Sequence, residues 1–546
     1  MTGQTPPMNH WKDYPVPALR NEALFGDRVV ACFAARPRSF HAMFEASVAA
    51  APDAEALACG DRRWTYAQCE AVSAQLAAGL AARGIEAGDR VVMFIGNCAE
   101  FVFTLLALQR LGAIAVPVGT REQRPGLAYI ARQCGATGIV ADAALADRAP
   151  DATEAPALKL RVSIGTVPPA GWLAWDELPA TAMDARPPHQ GAETDVAVIL
   201  YTSGTTGNPK GAMLTHVNIV HSAIHFEACM KLGPADRSAL AVPASHVTGL
   251  IAVIASMWRC GGATVIVPEF KADSFVALLE RERITHTLMV PAMYNLCLRH
   301  PAFATARLSH WRVGGYGGAP MPLATIEDMA RRVPGLTLLN AYGATETTSP
   351  ATMMPTGDTA SHLASVGVAL PAAHVLVMDE HGIELARGET GELWIAGPMV
   401  VPGYWDNPQA TAGSFTAGYW HSGDLGWIDE GGYVHVCDRK KDMINRGGYK
   451  IFSIEVENVL MSFAGVLEAA VVARPCPVLG ERVHAVVHAP GLAPDDAALR
   501  AHCAAQLADY KVPETFTWSD APLPRNANGK VMKRLLRDGV AAAARP

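Results

Sequence analysis

Apolar residues recur at helical spacing over Thr65–Ala82 and Glu100–Leu111, while Arg90–Ile95 and Ala113–Val118 are short, nearly all-apolar runs bounded by turn residues. Helices alternating with buried-strand runs predict βαβ units and a sheet covered on both faces. After Pro150–Asp195, rich in Pro, Ala and Thr, the same alternation resumes. It gives a strand over Asp195–Tyr201, a Gly/Thr-rich loop over Thr202–Gly211 and a helix over Thr215–Met230. Strands follow at Ala263–Pro268, Thr287–Val290 and Thr337–Asn340, with helices at Ser274–Arg283 and Leu323–Val333. From Glu392 to Val436 the pattern shortens to brief strands between Gly, Pro and Asp turns, which predicts a β-rich subdomain. Beyond the basic turn Asp438–Asp442 lies a small α+β unit, with helices over Ser453–Ser462 and Asp495–Ala508 and strands over Glu468–Val472 and Val483–His488.

The expected fold is therefore α/β, with doubly wound sheets and a β-rich subdomain in a large N-terminal part and a small α+β part at the C-terminus. The expected division is residues 1–440 and 441–546, with a soft lobe boundary near 150–195. At 546 residues, 50% hydrophobic and 18% charged, the chain has ample apolar content for a large core and falls outside the disordered class. Its net charge of −7, with no long basic run, argues against nucleic acid as the main partner. The 11 scattered cysteines contain no CxxC and fit free thiols in a reducing compartment. Met1–Arg20 lacks an apolar signal core and the longest apolar stretch, Gly249–Trp258, is too short to span a bilayer, so the expected location is the cytoplasm.

The strongest chemical signal is Tyr201-Thr-Ser-Gly-Thr-Thr-Gly-Asn-Pro-Lys210-Gly211. Small hydroxyl residues and glycines let backbone N–H and side-chain O–H groups converge on one anion, and a lysine completes the concavity; a polyphosphate suits it. It is not a Walker A loop, because Lys210 stands between Pro209 and Gly211 rather than before Ser or Thr. His216, His221 and His225 follow it, the last two one helical turn apart, but no acid or thiol completes a metal set.

In this order the motifs resemble the adenylate-forming superfamily of acyl-CoA synthetases, luciferases and peptide-synthetase adenylation domains, most closely a stand-alone acyl-CoA synthetase. Besides the loop they are Gly317-Gly-Ala-Pro320, Asn340-Ala-Tyr-Gly-Ala-Thr-Glu-Thr347, Tyr419-Trp-His-Ser-Gly-Asp424, Asp438-Arg-Lys-Lys-Asp442, Arg446-Gly-Gly-Tyr-Lys450 and Leu523-Pro-Arg-Asn-Ala-Asn-Gly-Lys530. Only about the first thirty residues lie outside the resemblance. Activating a carboxylate at the α-phosphate of ATP needs a metal, a cation for developing charge and a rigid nucleotide clamp.

The resemblance implies those parts residue by residue. Thr202, Ser203, Gly204, Thr205, Thr206, Gly207 and Lys210 would hold phosphates, with Thr345 on the α-phosphate and Glu346 on Mg²⁺. Gly317, Gly318, Ala319 and Pro320 would wall the adenine, beside Ala341, Tyr342 and Gly343. Asp424 and Arg439 would hold the ribose, and Lys530 would reach the adenylation transition state. Lys441 matches a hinge about which the small domain rotates, and Gly447 and Gly448 a channel for the pantetheine arm of CoA. His246 would sit beside the substrate carboxylate, with Val247, Thr248, Tyr316, Ala341, Ala344 and Ser349 lining the acyl pocket.

None of these pocket residues is Lys or Arg, which favours a neutral, mostly apolar fatty or aromatic acid. Asn445-Arg446-Gly-Gly resembles aryl-acid ligases that load carrier proteins, but Val247 stands where they carry an amide. Ser453, where relatives have Pro, is expected to cap the following helix. The implied activity is ATP-dependent carboxylic acid:CoA ligation through acyl-AMP and pyrophosphate. The alternative is an acyl- or aryl-AMP ligase serving a carrier protein; a homodimer is left open.

Overall fold

The computed structural model describes residues 9–179, 187–202, 208–319, 321–525 and 531–543. These form two compact units, one of residues 1–375, 395–421 and 431–434 and the other of 376–394, 422–430 and 435–546. The division passes through the strands His374–Met378, Gly391–Ala396 and Tyr419–Ile428 of the β-rich segment rather than falling at the single expected point.

The first unit holds two mostly parallel sheets. In one, the order is Lys210–Thr215, Val196–Thr202, Ile114–Pro117, Arg90–Phe94, Gly138–Asp142, Leu160–Ile164 and Leu173–Ala174. The other runs Val368–Ala369, Thr352–Met353, Thr337–Tyr342, Val313–Tyr316, His286–Met289, Arg237–Leu240, Ala263–Ile266, Glu55–Cys59 and Arg62–Thr65. Antiparallel strands close both edges of the second sheet, and its centre is parallel.

Local sequence chemistry fixes where the helices start and stop. Thr65 and Gln68 form a reciprocal capping box at the start of Tyr66–Ala82, and Thr215 and Asn218 do the same for His216–Cys229; each cap stabilises by roughly 1 kcal/mol. Ala99–Leu111 ends at Gly112, whose φ of 71° is the left-handed conformation that stops a helix. The apolar run Gly249–Trp258, which has no amphipathic period, is helical: π-type over Thr248–Ala255, then α over Ser256–Cys260. Its lack of period follows from burial on every side, since Leu250, Ile251, Val253, Ile254 and Met257 all lie in the main core. A hairpin of Leu19–Leu24 with Arg28–Phe33 precedes the first helix and was not foreseen.

The second unit has its own antiparallel sheet, ordered Tyr449–Ile451, Ile444–Arg446, Gly480–His488 and Glu468–Cys476, with Thr515–Ser519 parallel to Gly480–His488. Ile444, Ile451, Val456, Leu460, Val471 and Val483 form its core beneath Ser453–Met461 and Asp496–Ala504. All 11 cysteines are free, and no helix among the described residues is long and apolar enough to cross a membrane.

Candidate active site

Three predicted segments leave the same edge of the nine-stranded sheet. Pro243–Gly249 follows the strand Arg237–Leu240, Gly317–Ala319 follows Val313–Tyr316, and Gly343–Ser349 follows Thr337–Tyr342. These strands are parallel through the intervening His286–Met289, so their C-terminal ends point one way. The C-terminal edge of a parallel sheet is where such folds bind ligands.

Close backbone approach dictates glycine in these segments. A Cβ on Gly317 would lie 2.4 Å from the Ala341 carbonyl oxygen, and one on Gly249 2.3 Å from that of Pro243. On Gly343 it would lie 1.6 Å from the Ser349 carbonyl oxygen. The chain doubles back there: Ser349 N–H donates to the Ala344 carbonyl at 3.1 Å, and Ala351 N–H to the Tyr342 carbonyl at 2.8 Å. Thr347 Oγ1 accepts from Ala344 N–H at 2.8 Å. Thr348 and Ser349 pay for this winding with φ of 51° and 94°, a strain of roughly 1–3 kcal/mol each. Thr345 and Glu346 sit inside this over-determined turn, and the Glu346 side chain is buried.

Glu346 is tied to the lysine hairpin by one aromatic residue. Thr202 and Lys210 pair at the loop end of the Val196–Thr202 and Lys210–Thr215 hairpin. Gly403 and Trp405 bind its outer strand: Met213 N–H donates to the Gly403 carbonyl at 3.1 Å and Trp405 N–H to that of Gly211 at 2.7 Å. Tyr404 between them donates its hydroxyl to Glu346 Oε1 at 2.9 Å, and Lys210 Nζ lies 4.9 Å from the centre of its ring. Val401 N–H reaches the Glu346 carbonyl at 3.0 Å. Burial, then the Glu346 charge, pushes the Tyr404 phenol well above its ordinary range, so it remains a protonated donor.

His246 is positioned by its neighbours. Its Nδ1 accepts from Thr248 N–H at 3.2 Å and meets Thr248 Oγ1 at 3.1 Å, so the neutral ring carries its proton on Nε2. Thr248, expected to line the acyl pocket, thus also orients this histidine. Asn97 anchors the same segment, accepting from Ala244 N–H at 2.8 Å and donating to the carbonyls of Val242 and Val267 at 3.0 and 3.1 Å. Of the other expected pocket residues, Val247 and Tyr316 are buried, and Ala341, Ala344 and Ser349 are half-buried. Tyr342 is half-buried at the strand end, whereas Gly318 and Ala319 are exposed.

In the second unit the two expected ribose residues are paired: Arg439 Nε lies 3.1 Å from Asp424 Oδ1, and Asp424 is buried. Gly423 before it has φ of 69° and donates to Glu392 Oε1 at 3.1 Å. The Lys441 carbonyl accepts from Arg537 Nη2 at 3.2 Å, and Arg537 also pairs with Asp442 at 3.0 Å. Gly447 and Gly448 form the tight turn between Ile444–Arg446 and Tyr449–Ile451, with φ of 60° and 94°. That conformation itself demands glycine; a Cβ on Gly448 would meet no protein atom within 4 Å. Ser453 is not a cap as expected but the first helical residue, and Asp438 does the capping by accepting from Ser453 N–H. The Ser453 hydroxyl accepts instead from Lys533 Nζ at 2.6 Å.

Ser203, Gly204, Thr205, Thr206, Gly207, Pro320 and Lys530 lie outside the described residues. The three histidines after the loop are structural: His221 donates from Nδ1 to the Val217 carbonyl at 2.7 Å and accepts on Nε2 from Phe33 N–H at 3.1 Å. His225 bonds the Pro371 carbonyl at 2.6 Å, and His216 Nδ1 accepts from Phe40 N–H at 3.1 Å. Tyr404 and Asn97 are the site residues that motif reading missed. Asn97 sits in a turn just after the strand Arg90–Phe94, and that position was the available signal, whereas Tyr404, bridged to Ala212 well beyond the strand Gly391–Ala396, offered no such signal.

A lysine-bearing hairpin, a wall of small residues and a buried carboxylate in a strained turn, with an Asp–Arg pair in the second unit, are the parts of an adenylate-forming enzyme. The chain belongs to the AMP-binding enzyme family, which it matches over residues 44–405, with the AMP-binding enzyme C-terminal domain matched over 455–530. It is 33% identical over 487 residues to the long-chain-fatty-acid–CoA ligase FadD13 of Mycobacterium tuberculosis, covering 88% of this chain and 94% of that protein. With the feruloyl-CoA synthase of an Amycolatopsis species it shares 35% identity over 490 residues, 89% of this chain and 96% of that one. Among solved structures, ATP-bound MatB from Rhodopseudomonas palustris superposes with a TM-score of 0.85 at 31% identity, covering 93% of this chain and 100% of that one. The protein is an AMP-forming acid–thiol ligase, a class whose reaction uses ATP, Mg²⁺ and CoA.

Proposed function

We propose that the protein condenses a neutral, mostly apolar fatty or aromatic acid with CoA in two steps. In the first, a carboxylate oxygen bonds to the α-phosphorus of ATP and the bond to the β-phosphate oxygen breaks, so pyrophosphate leaves with the electron pair. In the second, the CoA thiol sulfur bonds to the acyl carbon, AMP departs with the electrons of the broken C–O bond, and the thiol proton passes to solvent. The observation that carries the reading is the linked set Lys210, Tyr404 and Glu346, a cation and a carboxylate held in one hydrogen-bonded and cation–π arrangement beside Thr345.

The donor set suits Mg²⁺. Magnesium takes one or two carboxylates and completes its shell with phosphates and water, and Glu346 offers one buried carboxylate. Among the described residues no group of three or more His, Cys, Asp or Glu could hold a metal as a protein cage. Glu346 would hold the ion, which when bound neutralises phosphate charge. Lys210 and Thr345 supply the cation and hydroxyl for phosphate oxygens, Asp424 accepts from ribose hydroxyls, and Lys530 supports the adenylation transition state. His246, its ring fixed by Thr248, faces the acid carboxylate through the face bearing Nε2–H. Lys441 serves as the hinge of the second unit, and Gly447 and Gly448 leave room for the pantetheine arm.

The acid class is supported by pocket chemistry. Val247, Ala341 and Ala344 are apolar, Tyr316 is buried with its phenol pushed up to about 12, and no Lys or Arg stands among these positions. The two curated relatives described above carry a long-chain fatty and an aromatic acid in their names. The 11 free cysteines support a reducing compartment such as the cytosol. The test follows pyrophosphate release and thioester formation with ATP, Mg²⁺, CoA and a panel of short, medium, long-chain, aromatic and dicarboxylic acids. Both products are expected for fatty or aryl acids. Activity confined to dicarboxylic acids would overturn the substrate class, and pyrophosphate without thioester would move the acceptor to a carrier protein.

A further inference from the structure

The carboxylate assigned to Mg²⁺ lies in the turn after Thr337–Tyr342, and the lysine assigned to phosphate lies on the strand Lys210–Thr215 of the other sheet; Tyr404 touches both. Its hydroxyl donates to Glu346 Oε1 at 2.9 Å, and its ring lies 4.9 Å from Lys210 Nζ. Its own place is fixed independently of either partner. Tyr404 pairs with Ala212, its N–H donates to Thr411 Oγ1 at 3.0 Å, and Phe415 packs edge-on against its ring at 5.8 Å. The side chain is only 5% exposed. A buried carboxylate that lost this donor would lose a contact that orients it, and side chains that aim metal ligands in this way govern affinity for the metal.

We propose that Tyr404 is the positioning residue for metal binding: through its hydroxyl it aims Glu346 at Mg²⁺, and through its ring it keeps Lys210 beside the same phosphates. The proposal rests on the assignment of Glu346 to Mg²⁺, and it separates two functions within one side chain. The hydroxyl sets the metal requirement, whereas the ring sets nucleotide affinity.

The experiment titrates a fluorescent ATP analogue carrying an N-methylanthraniloyl group against the full-length protein, in EDTA and across a Mg²⁺ series, for wild type, Tyr404→Phe and Glu346→Gln. Phenylalanine keeps the ring and removes the donor. It is expected to raise the half-saturating Mg²⁺ concentration roughly tenfold, the scale seen when a ligand-orienting partner is lost, while binding in EDTA stays at the wild-type value. Glu346→Gln should raise the Mg²⁺ requirement at least as far. A normal Mg²⁺ requirement in Tyr404→Phe with a raised one in Glu346→Gln would overturn the role of Tyr404 alone. Normal values in both would overturn the metal assignment beneath it. Equal weakening of nucleotide binding with and without Mg²⁺ in Tyr404→Phe would reduce the tyrosine to a packing residue. Should the phenylalanine variant fail to fold by thermal melt, Tyr404→His, which keeps an aromatic ring and an N–H donor, enters the same titration and must stay nearer wild type than Glu346→Gln.

Discussion

Glycine serves two different physical ends in the Gly343–Ser349 turn and the Asn445–Lys450 turn. In the first, the space belongs to another part of the backbone, since a Cβ on Gly343 would fall 1.6 Å from the Ser349 carbonyl oxygen. In the second, space is open around Gly448 and only its φ of 94° calls for glycine. The contrast extends to the surroundings. Glu346 is buried and its turn is closed by hydrogen bonds to both flanks, whereas Gly447, Gly448 and Tyr449 are exposed. A turn limited by contact is fixed by its neighbours, which suits the metal and phosphate roles proposed for Glu346 and Thr345. A turn limited by dihedral angle alone can move as a unit without losing its shape.

The largest effect tests the first half of that contrast. Gly343→Ala has no flexible side chain to displace, because the obstructing atom is a backbone oxygen, so the turn carrying Thr345 and Glu346 must shift by an ångström or more. A displacement of that size costs on the order of a hundredfold in rate. Pyrophosphate release should fall by at least about that factor, and the thermal midpoint should drop. Wild-type release by Gly343→Ala would end the claim that contact fixes this turn.

The two turns were not equally legible in the sequence. The helices and strands named from the sequence lie within a few residues of their places, because those elements are buried on a regular face, but the strands Gly138–Asp142, Arg237–Leu240 and Val313–Tyr316 and the helices Arg124–Gln133 and Pro291–Arg299 were not named. Gly447-Gly448 was read as a channel lining, and the nearer cause, a left-handed turn, needed the backbone dihedrals. The Gly343 motif was readable as chemistry, but the collision that explains its glycine depends on a chain reversal six residues later. The contacts made by Tyr404 and Asn97 were not legible for a related reason. Their partners Glu346 and Ala244 are 58 and 147 positions away, and such contacts leave no local pattern. The π-helix at Thr248–Ala255 was missed because a segment buried all round has no amphipathic signature.

A middle-sized effect sharpens the comparison at the level of the two units. Burial pushes His216 and His225 down to about 4 and His221 down to about 3 from an ordinary 6.5, all in one helix of the first unit, and His286 of the same unit down to about 4. In the second unit burial lowers His484 to about 4. As pH falls below 6.5 the unfolded chain takes up protons that the folded histidines refuse. Stability present above that pH is therefore lost on the way down to about 4. At pH 5.5 each such histidine should cost about 1.4 kcal/mol, a tenfold shift in its own opening equilibrium. Hydrogen exchange at pH 7.5 and 5.5, corrected for intrinsic rates, should show His216–Cys229 losing more protection than Ser453–Met461. Equal losses in the two helices would mean that acid acts on both units alike.

The smallest effect separates the two explanations of Gly448. If its dihedral is the only constraint, alanine should destabilise the second unit by about 1–2 kcal/mol, and asparagine, which tolerates left-handed backbone, by less. Thioester formation would then follow stability, with glycine first, asparagine second and alanine last. If the turn also borders the path of the pantetheine arm, side-chain size takes over in that half-reaction alone, and alanine should outperform asparagine by a few-fold. Pyrophosphate release should stay near wild type in both variants, since no adenylating group is touched. The order of Gly448→Ala and Gly448→Asn in a thioester assay, set beside their thermal midpoints, thus decides whether this exposed turn is shaped by the chain or by what passes it.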